Sequence, residues 1–412
     1  MSETFRLARA DEVPQVARVV AHSFVGHPAS YYEHLMRHGP WGGLDALWVC
    51  EDQGRIAAVC QLLPLQQWVG GTRLQVMGMA SVAVAPTHRR RGLAARLVTS
   101  GMRFARERGD VATALYPFRA SFYQKLGYGL AGEAYQYRVP PEVIPDAPER
   151  LGIALVESED ARAEVRDVYE RWAPTQTGQL RRTDAIWKRL LQSDGRVVVV
   201  YRDQAGSAEG YAVARYRADL PVDSRFLEIE ERAWLSPEAR RGLYAWMGSL
   251  ADQWQQLVYR AHPAERFGDR IEEPRILHSG EPGWNLWFPS AVLLAGPMFR
   301  LLDLAAAFAA RPQIGSATLT LRLEVEDTQI PENAGSWQLR LDNGRPHFGV
   351  ATTGAADATL SLGIDTLSRI FVGALRPSEA VDAGVATIDR PKELPTLDQA
   401  FALPRPWTFD AF

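Results

Sequence analysis

The sequence repeats itself at an interval of about 150 residues, the size of one domain. Ala83-Val-Ala-Pro-Thr-His-Arg-Arg-Arg-Gly-Leu returns as Ala233-Trp-Leu-Ser-Pro-Glu-Ala-Arg-Arg-Gly-Leu. Phe5-Arg-Leu-Ala, an acidic cap and a helical pattern running to Phe24 return as Ile153-Ala-Leu-Val, an acidic cap and a pattern ending at Trp172. One match would mean little. Two matches in the same order at one interval describe a duplicated domain.

Each copy reads as α/β. In the first, Phe5–Ala8 alternates as a short strand, and Asp11 caps a helix with Val13, Val16, Val19 and Val20 on one face and Pro14 in its first turn. Leu74–Ala85 reads as a buried strand. A helix with Leu93, Leu97, Val98 and Phe104 on one face follows, closed by Gly109. A strand over Val111–Tyr116 and a short helix over Ala120–Leu126, ended by Gly127, complete the pattern. From about Phe288 the pattern changes to an apolar helix, Met298–Ala310, then alternating strands with a hairpin turn at Asp342-Asn343-Gly344, then helices around Asp365–Val372 and Ser378–Ala383. This is a third, α+β domain. With Pro140-Pro141 to Pro148 as a linker, the expected domains are 1–145, 146–289 and 290–412.

Composition excludes several classes. The chain has 412 residues, 46% hydrophobic and 23% charged, enough for folded cores without staples. A net charge of −3 argues against a general binder of nucleic acid or anionic membranes. Lysine occurs only at Lys125, Lys188 and Lys392 against 43 arginines (46 − 3), a bias that runs through all three domains and reads as codon bias. Cys50 and Cys60 lie on two arms of a hairpin, Ala46–Glu51 and Arg55–Leu63, with Cys60 facing a residue near Ala46. That register excludes a disulfide, and the spacing makes no zinc site. His22, His27, His34 and His38 read as exposed or loop histidines, so no metal is expected. The first residues lack a basic and apolar leader, and no apolar run reaches a membrane span, so a cytoplasmic location is expected.

The chemistry concentrates at Arg89-Arg90-Arg91-Gly92-Leu93-Ala94, spaced R-x-x-G-x-A between an apolar strand and an amphipathic helix. A loop into a helix N-terminus aims unpaired N–H groups and the positive end of the helix dipole at a ligand. Gly92 allows close approach, Ala94 keeps the first turn small and the arginines add charge. Such a site suits a pyrophosphate; a basic loop that merely caps a helix is the structural alternative. After the next strand comes Ser121-Phe-Tyr-Gln-Lys-Leu-Gly-Tyr128.

These two signatures resemble those of the GCN5-related N-acetyltransferases (GNAT), Q/R-x-x-G-x-G/A and F-Y-x-x-x-G-F/Y. Together with the duplication and Asp327-Thr-Gln-Ile-Pro-Glu-Asn-Ala-Gly-Ser-Trp, the whole chain resembles the enhanced intracellular survival (Eis) acetyltransferases. The resemblance implies tandem GNAT-like domains, the second degenerate, followed by a sterol-carrier-protein-like domain. It implies acetylation of amines on aminoglycoside-like polyamines or lysines, with acetyl-CoA as cosubstrate, and a homohexamer. Residue by residue, it assigns the pantetheine arm to Val82, Ala83 and Val84 and the pyrophosphate to Arg90, Arg91, Gly92, Leu93, Ala94 and Ala95. It adds contacts at Phe118 and Arg119, Tyr123 as acid, and the C-terminal carboxylate of Phe412 as base.

Tyr128 competes with Tyr123 but follows the Gly127 break and is expected to pack. Asp410 offers further negative charge beside Phe412. Phe24, Tyr31, Tyr32 and Trp41 serve either an amine pocket or the core. The second copy is expected to be inactive: Tyr244 stands where the first has Ala94, and its motif is one residue shorter from proline to glycine. A protein-lysine or small-metabolite acyltransferase, and a lipid-binding protein using the third domain, are the competing readings.

Overall fold

The computed structural model describes residues 3–24, 26–217, 220–221, 225–272, 290–311 and 314–412. Two compact units emerge: Met1–Gly132 with Thr177–Arg181 and Gly296–Phe412, and Glu133–Gln176 with Arg182–Ala295.

The first unit opens with β1 (Thr4–Leu7), α1 (Val13–Ala21), α2 (Ala29–His38), β2 (Leu47–Asp52), β3 (Arg55–Val69) and β4 (Thr72–Val84). It continues through α3 (Leu93–Glu107), β5 (Ala112–Leu115), α4 (Ala120–Gln124) and β6 (Gly129–Leu130). Strands β1 to β4 form an antiparallel meander, and β5 returns parallel to β4 after crossing over through α3. The apolar faces expected on α1 and α3 are buried as stripes: Val13, Val16, Val19 and Val20 on one, Leu93, Leu97 and Val98 on the other.

Asp11 does not cap α1. A turn of 3-10 helix over Ala10–Glu12 precedes it and leaves Asp11 exposed. Among the described residues no side chain caps α1; Glu12 closes the 3-10 turn instead, accepting from the Arg9 backbone N–H at 2.7 Å. The Arg6 guanidinium, donating to the same carboxylate at 2.7 and 2.8 Å, holds its pKa down to about 2. The cysteine hairpin forms as expected, with Cys60 opposite Trp48 and Cys50 opposite Ala58, and both thiols are buried and free.

The second unit contains β7 (Glu133–Val139), β8 (Ile153–Leu155), α5 (Glu159–Trp172), α6 (Asp184–Gln192), β9 (Arg196–Arg202), β10 (Ala208–Tyr216), β11 (Leu227–Trp234), α7 (Pro237–Gly248), β12 (Leu257–Ala261) and β13 (Val292–Ala295). Its sheet runs β13-β7-β12-β11-β10-β9-β8. The run β11-α7-β12, a parallel pair joined through a helix, repeats β4-α3-β5. Residues 133–139, placed before the first boundary by sequence, pair in this second sheet as β7. The chain therefore leaves the first unit ahead of the proline-rich stretch. The expected boundary at 289 falls among residues 273–289, outside the described residues.

The last third begins with β14 (Met298–Leu301) and α8 (Leu304–Ala310). The single helix expected over Met298–Ala310 is a strand and a helix, divided where Asp303 caps α8 through the Ala306 N–H at 2.9 Å. Strand β14 enters the first sheet between β5 and β6, giving the order β1-β2-β3-β4-β5-β14-β6. All four of its residues are buried, so it carries no alternation to betray a strand. After it come β15 (Leu319–Glu326), β16 (Gly335–Asp342), β17 (Arg345–Val350), β18 (Ala358–Gly363), α9 (Ile364–Phe371), α10 (Pro377–Asp382), β19 (Ala386–Ile388) and α11 (Leu394–Ala400), with the sheet order β17-β16-β15-β18-β19. No helix among the described residues is long and apolar enough to cross a membrane.

Candidate active site

Strand β4 is bent and half released. Between Ala80 and Ala83 it places Ser81 and Val82 opposite the single residue Cys60 of β3, and Ser81 takes φ +53°. One extra residue on one strand is a bulge, which turns the strand. On its other edge β4 pairs with β5 only from Val76↔Ala112 to Gly78↔Ala114. On its far edge β5 pairs with β14 along its whole length, from Ala112↔Leu301 to Leu115↔Met298. Val82, Ala83 and Val84 thus lie beyond the last rung between the two strands.

The loop after β4 holds Arg90 at φ +59° and Gly92 at φ +72°. Gly92 is the N-cap of α3 and has no side chain to cap it. The first helical bond runs from the Arg96 N–H to the Gly92 carbonyl at 3.3 Å, so among the described residues the N–H groups of Leu93, Ala94 and Ala95 have no acceptor. Three donors without an acceptor at the positive end of a 15-residue helix form an anion cradle.

The three arginines divide. Arg89 turns back and donates to the His22 carbonyl at 2.9 Å. Arg91 lies 3.7 Å from Asp52, and its carbonyl accepts from Arg96 at 2.9 Å. Arg90 is exposed and has no ion pair or hydrogen bond among the described residues.

The corresponding helix of the second unit is closed. Ser236 Oγ accepts from the Ala239 N–H at 3.2 Å, and Pro237 at the first position has no N–H to offer. Gly242 lies inside α7, where an added Cβ would meet the Tyr201 ring at 2.8 Å, so this glycine makes room for an aromatic ring. Tyr244 is buried, and its hydroxyl donates to Glu265 at 2.5 Å.

Tyr123 sits on α4, in the core formed with Met77, Met79 and Leu115. Burial raises its pKa above the ordinary phenol value. Tyr128 is completely enclosed, with its hydroxyl 3.1 Å from Thr113 Oγ1. Arg119 is the N-cap of α4, and its carbonyl accepts from the Phe122 N–H at 3.1 Å. Phe118, before it, is 71% exposed, its ring 5.7 Å from that of Tyr123.

The C-terminus is anchored at the same opening. The Phe412 ring lies on Gly78, the last β4 residue paired with β5; a Cβ on Gly78 would come within 3.0 Å of Phe412 Cδ2. Tyr116 and Trp41 flank that ring at 5.3 and 6.4 Å. The Tyr116 hydroxyl donates to the Asp410 carbonyl at 2.8 Å, and Trp41 Nε1 donates to the Ala411 carbonyl at 3.0 Å. Tyr116 had no role in the sequence reading; its position at the end of β5, where α/β sheets place their sites, was the available signal. Asp410, expected to add charge beside Phe412, is buried at 7% exposure. Phe24 and Tyr31 are 40% and 45% exposed, and His27 stacks on Tyr31. No group of three or more metal-ligating side chains occurs among the described residues.

Known proteins match the chain domain by domain. Acetyltransferase (GNAT) domain families match residues 4–131 and 178–292, and a sterol carrier protein domain family matches residues 304–409. The N-acetyltransferase Eis of Mycobacterium tuberculosis is 26% identical over 343 residues, 81% of this chain and 79% of that one. The chain is a GNAT-type N-acetyltransferase similar to Eis. An uncharacterized N-acetyltransferase of Streptomyces avermitilis is 27% identical over 343 residues, covering 78% and 77% of the two chains. The fold is matched end to end by a GCN5-related N-acetyltransferase of Anabaena variabilis, with a TM-score of 0.84 at 22% identity. Eis1 of Mycobacterium abscessus, also 22% identical, gives 0.77 with both chains fully covered. GNAT acetyltransferases use acetyl-CoA, and an open helix N-terminus beside an uncommitted arginine fits its pyrophosphate.

Proposed function

We propose that this acetyltransferase modifies amino groups of aminoglycoside-like polyamines, with Tyr123 as acid and the Phe412 carboxylate as base. The observation that carries this reading is the seat of the chain's last residue on Gly78, where β4 and β5 part. Arg90, Arg91, Gly92, Leu93, Ala94 and Ala95 hold the pyrophosphate of acetyl-CoA, Val82, Ala83 and Val84 hold its pantetheine arm, and Phe118 and Arg119 contact it further. Bound there, it supplies an activated acetyl group.

A neutral amine attacks a thioester without a covalent enzyme intermediate. A backbone N–H of the released edge of β4 stabilises the negative charge that develops on the carbonyl oxygen. The Phe412 carboxylate, with an ordinary pKa of about 3.3–3.7, is a weak base towards an ammonium of about 10. It stabilises the positive charge that grows on the attacking nitrogen and takes that nitrogen's proton as the C–S bond breaks, when acylation has made the proton acidic; solvent then carries it away and reprotonates Tyr123. Tyr123 donates a proton to the departing sulfur. Burial makes it a weaker acid than an ordinary phenol and so keeps it protonated until the sulfur departs. Hexameric assembly and a cytoplasmic location belong to the same reading.

Thiol release from acetyl-CoA, followed across aminoglycosides, polyamines and lysine peptides, tests the acceptor. Aminoglycosides should give the highest kcat/KM; a preference for lysine peptides would replace them with protein as substrate. Because Ser236 closes α7, calorimetric titration with CoA should give one site per chain, and two equivalent sites would refute the inactivity of the second copy.

A further inference from the structure

We infer that residues Thr177–Arg181 are a positioning strap for the catalytic C-terminus. They lie in the chain between α5 and α6, in the sequence of the degenerate copy, yet they belong to the first unit. The inference rests on the proposed role of the Phe412 carboxylate.

The strap is fixed on one side to β3. The Gly178 N–H donates to the Trp68 carbonyl, the Trp68 N–H to the Gln179 carbonyl and the Arg181 N–H to the Gln66 carbonyl, each at 2.8 Å. Gln67 Nε2 adds a bond to the Gly178 carbonyl at 2.9 Å. On the other side the strap grips the tail. The Trp407 N–H donates to the Thr177 carbonyl at 3.0 Å, and Gln179 Nε2 donates to the Trp407 carbonyl at 3.1 Å. Gly178, at φ +105°, lies so close that a Cβ would come within 2.4 Å of the Trp407 oxygen. Leu180 is 1% exposed and packs with Leu63 and Leu65 in the cluster against which Phe412 and Trp41 rest. The strap thus sets both the path of the tail at Trp407 and the floor beneath its last ring.

Gln179 supports a positional role. It is completely buried, and its Oε1 has no hydrogen-bond partner among the described residues. A side chain kept for cohesion alone would be apolar here, because an unpaired buried oxygen costs stability. What Gln179 supplies instead is one directed donor to the tail.

The test compares Gly178→Ala and Gln179→Leu with a chain lacking Phe412, all as full chains otherwise. The expected result is a fall in kcat of about tenfold or more for each strap variant with KM for acetyl-CoA nearly unchanged, since a base displaced by an ångström acts poorly. In the chain lacking Phe412, adding either substitution should lower the residual rate no further, because the strap acts through that residue. If Gly178→Ala fails to fold, Gln179→Leu decides alone. Full kcat in Gln179→Leu, or losses that persist in the truncated background, would overturn the strap while leaving the base in place. Normal turnover without Phe412 would overturn the base itself, and the strap with it.

Discussion

An enzyme ending at Ala411 binds CoA normally and transfers acetyl groups about 100 to 10,000 times more slowly, the range for loss of a positioned proton-transfer group. The truncation does not remove a terminal carboxylate. It moves it back along the tail by one residue, about 3.8 Å between Cα atoms. The Trp41 bond to the Ala411 oxygen and the Tyr116 bond to Asp410 hold the shortened tail in place, so the new carboxylate cannot slide forward to compensate. The Phe412 ring is lost as well, and with it the cover over Gly78. A companion chain extended by one glycine keeps the ring and turns the Phe412 carboxylate into an amide. If the charge matters, both chains lose kcat; if only the ring matters, the extended chain keeps it. Retained transfer in both would mean that the proton leaves by another route. CoA affinity, measured by titration, should stay within about twofold in both, because the α3 cradle shares no residue with the tail.

How much of this was legible depended on the distance over which each feature is decided. The R-x-x-G-x-A loop was readable because its physics is local: Gly92 takes a positive φ that favours glycine, and the helix N-terminus begins at the next residue. The paired copies, the α1 and α3 faces and the Asn343-Gly344 hairpin, with both residues at positive φ, followed from short-range pattern in the same way. Met298-Phe-Arg-Leu did not. Four buried residues have no face exposed to water, so their apolar character fits helix and strand alike, and the partner that decides is β5, far back in the chain. Residues 133–139 likewise alternate as a strand wherever they pair, and only pairing with β12 and β13 places them in the second sheet. The stiff, aromatic tail Pro404–Phe412 fits an anchored end, but a role for its carboxylate was reachable only through family resemblance, since nothing in a terminal phenylalanine announces a base. Thr177–Arg181 bore no signal that was legible: most of its bonds are made by backbone, which every sequence possesses, and the Gln179 side chain bonds to a residue far along the chain.

The largest loss of stability should follow Asp327→Ala. Asp327 takes two bonds from Arg300 at 2.7 and 2.9 Å, one from each of the Gln329 and Ile330 N–H groups at 3.0 Å and one from Asn333 at 3.1 Å. Both side chains of the ion pair are completely buried. Alanine leaves the guanidinium charged in the core with only two carbonyls, those of Leu126 and Leu301, as acceptors. Breaking a buried pair from one side costs about 3–5 kcal/mol, mostly because the other charge stays behind. Urea denaturation, followed at the transition of the first unit, should show that loss, and a change below about 1 kcal/mol would mean that the core around Arg300 admits water. The double variant Arg300→Met, Asp327→Leu removes both charges and should recover much of the stability. It should not recover activity to the same degree. Arg300 Nε donates at 2.8 Å to the Leu126 carbonyl, just past the helix that carries Tyr123, and methionine has no donor to replace it. Stability returning without turnover would separate the two duties of this arginine, neutralising a buried carboxylate and fixing the end of α4. Recovery of both would leave it only the first.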